Sequence, residues 1–271
     1  MSRADLERLA RIARDAGQGI MQIYAGHFHV DYKSPGDPVT DADRQANALI
    51  CARLTAEFPD AAIVAEESPS HSYAGYQDRA RVFFVDPLDG TREFVARNGQ
   101  FVVMIGLLVD DRPTQGVVYA PVTDTLWCGA PGLGAYRIDA NGNEAAIRVG
   151  EVSEPEEARL TVSRSHRSEH LKQVLQGIKP RLVVPMGSAG LKGSHVADNS
   201  ADAYLALGPA GKHWDACAMD ALVSAAGGRV TDARGEPLDY RSPALELEHG
   251  ILAANAALHQ SLVSRIPRSV S

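Results

Sequence analysis

The 271-residue sequence predicts a mixed α/β (α+β) fold, and three patterns carry that reading. Helical periodicity runs through residues 3–58, β-branched segments broken by turn signals fill 82–138, and short strands alternate with helices beyond 150.

Residues 3–24 set Leu6, Leu9, Ile12, Ala13, Ala16, Ile20, Ile23 and Tyr24 three or four apart behind a Ser2–Asp5 capping pair. An amphipathic helix is expected there. The turn-rich YKSPGDP leads to Thr40 and a second helical pattern in Ala46, Leu49, Ile50, Arg53, Leu54 and Phe58, closed by Pro59. AAIVAEES reads as a short strand running into Glu66 and Glu67. RVFFVDPLDGTREFV reads as a buried strand that stops at Pro87, followed by a tight turn. The next stretch, FVVMIGLLVDDRPTQGVVYAPVTDTLWCGAPGLGAYRI, predicts a meander of strands turning at DDRP, APVTD and PGLG. The polar NGNEAAIRVGEVSEPEE sets an expected boundary near Gly150, between an N-terminal α+β half (1–150) and a C-terminal α/β half (151–271). In the second half RLTVSRSH, the helix EHLKQVLQGI and RLVVPMGSAG opening a helix come first. ADAYLALG, the helix WDACAMDALVSAAGG, the short strand RVTD and a helix from about Ala257 complete it.

Composition narrows the function classes. A hydrophobic content of 45% and a charged content of 23% fit a soluble globular chain. No apolar run approaches the roughly 18 residues of a membrane span, and MSRADLERLARIARDAG is charged, so a cytoplasmic protein without an integral membrane segment is expected. Cys51, Cys128 and Cys217 form no CxxC pair, which argues against a disulfide framework or zinc site. A net charge of −7 without a Lys/Arg run argues against nucleic-acid binding, while leaving a small phosphate substrate open.

VDPLDGTREF, residues 85–94, sets Asp86 and Asp89 three apart with Gly90 and Thr91 behind them. Two carboxylates about 5 Å apart repel by roughly 3 kcal/mol at an effective dielectric near 20, so such a cluster wants a cation or a shared proton. Oxygen donors without His or Cys point to Mg²⁺. Taken alone, DPLDG fits a surface turn equally well, but the apolar VFFV before it puts the turn at the rim of a sheet, where α/β proteins carry their sites. The haloacid-dehalogenase spelling DxDxT competes poorly: this chain reads DxxDGT, and its GDxxxD match, Gly36 to Asp41, lies upstream, in the wrong order.

VDPLDGTREF together with DPVTDAD (37–43), VAEES (64–68) and WDACAMDALVSAAGGRVTD (214–232) closely resembles the inositol monophosphatase family of Mg²⁺-dependent, lithium-sensitive phosphatases. The four motifs occur in family order and span most of the chain. The resemblance implies the layered αβαβα sandwich that this family shares with fructose-1,6-bisphosphatase. VSRSH (162–166), GSAGLK (187–192) and GPAGKHWD (208–215) look most like its 3'(2'),5'-bisphosphate nucleotidase (CysQ-type) branch. Carried over by position, Glu66, Asp86 and the carbonyl of Leu88 would hold one Mg²⁺, and Asp86, Asp89 and Asp215 a second, with a third left open. Thr91, hydrogen-bonded to Asp43, would orient and deprotonate the attacking water, and the backbone of Gly90 and Thr91 would bind the phosphate. Ser163, His166, Ser188 and Lys192 would contact the adenosine and its 5'-phosphate. The implied partner is a small phosphorylated nucleotide: 3'-phosphoadenosine 5'-phosphate (PAP), converted to AMP, and its sulfated form PAPS, converted to APS. Li⁺ is expected to inhibit, and a homodimer is compatible with the sequence.

Each residue also has a plainer reading. Thr40-x-x-Asp43 is an ordinary helix cap, Glu66 and Glu67 a solvated pair, Asp215 a first-turn carboxylate, Ser188 an N-cap and His166 a loop histidine. Ala65, Arg92 and Asp41 depart from the commonest family spellings, but none removes a ligand. An inositol or sugar phosphatase of the same fold, and a non-catalytic metal- or phosphate-binding regulator, are the alternatives.

Overall fold

A computed structural model describes residues 2–165 and 168–267. The first helix, α1 (Arg3–Ala25), begins at the expected capping box: the Ser2 backbone N–H donates to the Asp5 carboxylate at 3.1 Å. Its buried stripe of Leu6, Leu9, Ile12, Ala13, Ala16 and Ile20 follows the 3.6-residue period. The YKSPGDP turn is the tip of an antiparallel hairpin, β1 (Val30–Ser34) and β2 (Asp37–Thr40), which the sequence reading did not separate into strands. It leads into α2 (Asp41–Glu57), capped by Thr40.

Next come β3 (Ala62–Ala65), two short 3₁₀ turns, β4 (Arg81–Asp89) and the single-turn helix α3 (Thr91–Val95). The meander is β5 (Val102–Val109), β6 (Arg112–Ala120), β7 (Thr125–Ala130), β8 (Gly134–Ile138) and β9 (Glu144–Ile147). These strands form a seven-stranded sheet in the order β3-β4-β5-β6-β7-β8-β9, parallel only between β3 and β4. The second half contributes β10 (Arg159–Ser163), α4 (Glu169–Ile178), β11 (Leu182–Met186), α5 (Ala189–Ala197), β12 (Ala203–Ala206), α6 (His213–Ala225), β13 (Gly228–Thr231), β14 (Ile251–Asn255) and α7 (Ala256–Arg265). Its five-stranded sheet has the order β11-β10-β12-β14-β13.

Alternation along the strands builds the layers. On β4, Phe83 and Val85 join the residues of α1 and α2 in one core, while Val82 and Phe84 join those of α5 and α6 in another. The five-stranded sheet shares the α5–α6 core through Tyr204, Ile251 and Ala253, and packs α4 and α7 on its far side through Leu171, Val174, Leu258 and Leu262. The result is the αβαβα layering the family resemblance implies. Helix α6 lies close on the first sheet because Gly106 and Gly116 lack side chains. A Cβ at Gly106 would meet the Ala218 nitrogen at 2.5 Å, and one at Gly116 the Ala218 oxygen at 1.9 Å. No helix among the described residues is long and apolar enough to cross a membrane.

Three expectations change, the first being that the polar stretch read as turn-like carries β9 (Glu144–Ile147), paired with β8. The strand expected to stop at Pro87 runs on to Asp89, because Asp86 pairs with Met104 and Asp89 with Val102, leaving Pro87 and Leu88 opposite one residue. In such a bulge a proline without an N–H breaks no ladder bond. The strand β14, an interior strand of the second sheet between β12 and β13, was not anticipated; its Ile-Leu-Ala-Ala-Asn sequence is short and alanine-rich, with little β-propensity to announce it.

Candidate active site

The bulged end of β4, the C-terminal ends of β10, β11 and β12, and the first turns of α3, α5 and α6 converge on one cleft of about 750 Å³. Glu66, Asp86, Leu88, Asp89, Gly90, Thr91, Ser163, Ser188, Lys192 and Asp215 all line it. Asp43 lies fully buried behind Thr91. His166 lies outside the described residues.

The bulge aims the DxxD pair. Asp86, Asp89 and Asp215 each offer an oxygen, and these atoms lie within 4.8 Å of one another. One oxygen of each carboxylate is fixed by a hydrogen-bond donor. Leu88 N donates to Asp86 Oδ1 at 2.9 Å, and Lys212 N to Asp215 Oδ2 at 2.6 Å. Asp89 Oδ2 accepts from Ser188 Oγ at 2.6 Å and from Gly190 N at 2.7 Å, so the N-terminus of α5 holds it across the two sheets. Burial, then the neighbouring Glu66, Asp89 and Asp215, push the Asp86 carboxyl well above the usual range. Burial, then Asp89 and Glu66, do the same to Asp215. Asp89 is also raised, chiefly by burial, against the opposing pull of Lys192, Ser188 and Gly190. A buried cluster in which each charge raises its neighbours is one that a cation would complete. The donors are carboxylates with no His or Cys among them, a set that fits a hard divalent cation.

Glu66 and Glu67 separate here. Glu66 lines the cleft and lies against Asp86, whereas Glu67 does not line it. Lys33 Nζ donates to both, at 2.6 Å to Glu66 and 2.8 Å to Glu67. Burial and the Glu66 charge push Glu67 up to about 7, against Lys33. Lys33 was missed because it stands 33 residues away in a stretch read only as a turn, with no local pattern tying it to Glu66.

Beside the carboxylates, Thr91 Oγ1 donates to Asp43 Oδ1 at 2.8 Å. Asp43 Oδ2 meanwhile accepts from Thr40 N at 2.8 Å and from Thr40 Oγ1 at 2.5 Å, so one carboxylate both caps α2 and grips Thr91. Burial raises the Asp43 carboxyl, while the Thr40 and Thr91 bonds pull it down. Gly90, at φ 105°, makes the turn between them; a Cβ there would meet the Gln100 carbonyl at 2.8 Å.

Ser188 has the N-cap geometry, accepting from Leu191 N at 3.0 Å, while holding Asp89 from a strained φ of 59°. Lys192 is buried: Nζ donates to the Ser188 carbonyl at 2.6 Å and lies 5.0 Å from the Tyr204 ring centroid. Burial lowers it to about 8, with Asp89 and Asp215 opposing. Its ammonium therefore lies near the acidic groups of the cleft. Ser163 stands at the cleft end of β10.

The model of the inositol monophosphatase family matches residues 4–271. The chain is 38% identical over 237 residues to the 3'(2'),5'-bisphosphate nucleotidase CysQ of Escherichia coli (strain K12), covering 87% of this chain and 93% of that protein. Among solved structures it is similar to the extragenic suppressor protein suhB of Bartonella henselae, with a TM-score of 0.84 at 26% identity over 98% of this chain and 100% of that one. It is also similar to CysQ of Bacteroides thetaiotaomicron, with a TM-score of 0.79 at 28% identity over 93% and 97% of the two chains.

Proposed function

Since this chain belongs to the inositol monophosphatase family, we propose that it is a phosphatase of the nucleotidase branch, a Mg²⁺-dependent 3'(2'),5'-bisphosphate nucleotidase. It removes the 3'-phosphate of PAP to give AMP and phosphate, and acts likewise on PAPS. The observation that carries the reading is the Thr91–Asp43 hydrogen bond of 2.8 Å beside three carboxylates within 4.8 Å of one another in one cleft. The branch rests on the 38% identity to a nucleotidase over nearly its whole length.

Glu66, Asp86 and the Leu88 carbonyl would hold one ion, and Asp86, Asp89 and Asp215 another. When bound, such ions supply the positive charge that polarises the phosphoryl group and offsets charge on the attacking and departing oxygens. The chain's own residues do the rest. Because Thr91 Oγ1 gives its hydrogen to Asp43, its lone pairs are left to orient a water and accept its proton. Asp43, a buried carboxyl with a raised proton affinity, can take the proton that Thr91 passes on. The turn at Gly90 and Thr91 receives phosphate oxygens on its backbone N–H groups. Ser163 faces the nucleotide, and Ser188 and Lys192 act through Asp89 and the first turn of α5.

The test is phosphate release from PAP, inositol 1-phosphate and fructose 1,6-bisphosphate, each with Mg²⁺ and with or without Li⁺. PAP is expected to be turned over best and Li⁺ to inhibit. Preference for inositol 1-phosphate would sink the nucleotidase assignment, and no turnover of any substrate would favour a binding regulator.

A further inference from the structure

Glu93 lines the same cleft, yet the carboxylate cluster and the Thr91–Asp43 pair leave it without a task. It is only 6% exposed and is held firmly. Oε2 accepts from Asn98 Nδ2 and lies 3.8 Å from Arg164 Nη1. Gln100 completes the frame: its Oε1 accepts from Arg164 Nη2 and from Gly187 N, both at 2.8 Å, and its N–H donates to Asn98 Oδ1 at 3.0 Å. Room for the side chain exists because residue 187 is glycine; a Cβ there would lie 2.4 Å from Glu93 Cγ and 2.8 Å from Oε1. Among the described residues nothing donates to Oε1, and it is not one of the sealed unpartnered atoms, so it opens on the cleft.

A rigid carboxylate oxygen with no donor of its own selects a ligand that brings one. It also repels any further phosphate placed against it. Glu93 stands on the same short helix as Thr91, so the group that meets Oε1 belongs to the organic part of the substrate next to the reacting ester. We infer that Glu93 is a specificity-determining residue, whose Oε1 accepts a hydrogen bond from the ribose hydroxyl vicinal to the scissile phosphate. The inference rests on the nucleotidase reading, since it needs a sugar hydroxyl at that position.

PAP and its 2'-deoxy counterpart, offered to the full-length protein with Mg²⁺, separate the two. A hydrogen bond to a charged acceptor predicts about a 10- to 100-fold preference for PAP in kcat/KM. Glu93→Gln keeps an oxygen for Asn98 and Arg164 while turning an amide toward the cleft; that amide can still donate to the hydroxyl oxygen, but in a neutral bond, so the ratio is expected to fall by about five- to tenfold. Equal use of both substrates by the wild-type protein would overturn the role of Glu93 and leave the nucleotidase reading standing. So would a Glu93→Gln variant, folded by its melting curve, that slows both substrates by the same factor, because that is the mark of a structural role. Failure of the wild-type protein on both nucleotides, with turnover of inositol 1-phosphate, would remove the nucleotidase reading and this inference with it.

Discussion

Replacing Thr91 by valine deletes one hydroxyl and keeps the shape. Asp43 then loses the 2.8 Å bond from Thr91 but retains two from Thr40, so the cap of α2 survives. A hydrogen bond to a charged group contributes about 1.5–3 kcal/mol. The Thr91 hydroxyl faces a cleft whose water can replace part of this, so a loss of about 1–2 kcal/mol is expected, or about 2–4 °C in melting temperature for a chain of this size. Turnover should suffer far more. Without a hydroxyl to orient water and relay its proton, kcat is expected to fall at least about a hundredfold, while KM changes little. Thr91→Ser, which restores the hydroxyl, should recover most of the rate. Steady-state phosphate release and thermal melts on the same preparations give both numbers. A valine variant with near-normal kcat, or one that melts more than about 10 °C lower, would refute the reasoning, since an effect on folding alone needs no proton relay.

Three other outcomes follow from the same geometry. Lys33→Met frees Glu66 from a half-exposed ion pair and should tighten Mg²⁺ binding measured by calorimetry by about fivefold; unchanged or weaker binding would show that Lys33 does not compete for Glu66. Mg²⁺ at a hundred times its dissociation constant should stabilise the metal-free protein by about 2.7 kcal/mol per site. Asp86→Asn should remove most of that thermal shift while raising the melting temperature of the ion-free protein, because Asp86 is the residue most crowded by other carboxylates; an undiminished shift would move the site elsewhere. Asp220 provides a pH test away from the cleft. Burial raises it from 3.8 to about 6 despite bonds from Tyr240 and Ser224, so the native state binds the extra proton between those values. Its own share of the stability should therefore fall by about 3 kcal/mol as pH rises from about 4 to about 6 and be lost above that. Asp220→Asn should remove that share, and wild-type and variant profiles that run parallel through the segment would contradict the assigned burial.

What could be read in the sequence was what is local along the chain. The Thr40–Asp43 cap spans three residues, so its spacing carried its geometry, and Asp86 and Asp89, three apart on one strand end, were legible as a close pair though not in their orientation. The cap and the grip on Thr91 proved to be one arrangement, because each carboxylate oxygen serves a different partner. What could not be read depends on distant segments meeting. Ser188 holds Asp89 across 99 residues, Lys33 reaches Glu66 across 33, and Gly187 makes room for Glu93. The course of β4 through Pro87 was hidden for another reason. A proline rule that holds for a regular ladder gives way at a bulge, and that bulge is what turns Asp86 and Asp89 toward Asp215.

The central claim is that these carboxylates form a metal centre serving a nucleotide phosphatase. Phosphate release from PAP by the chelator-treated protein, before and after Mg²⁺ is returned, tests it most directly. Negligible release without the ion and full recovery with it are expected. Undiminished release from the chelated protein, or none after Mg²⁺ is restored, would contradict it.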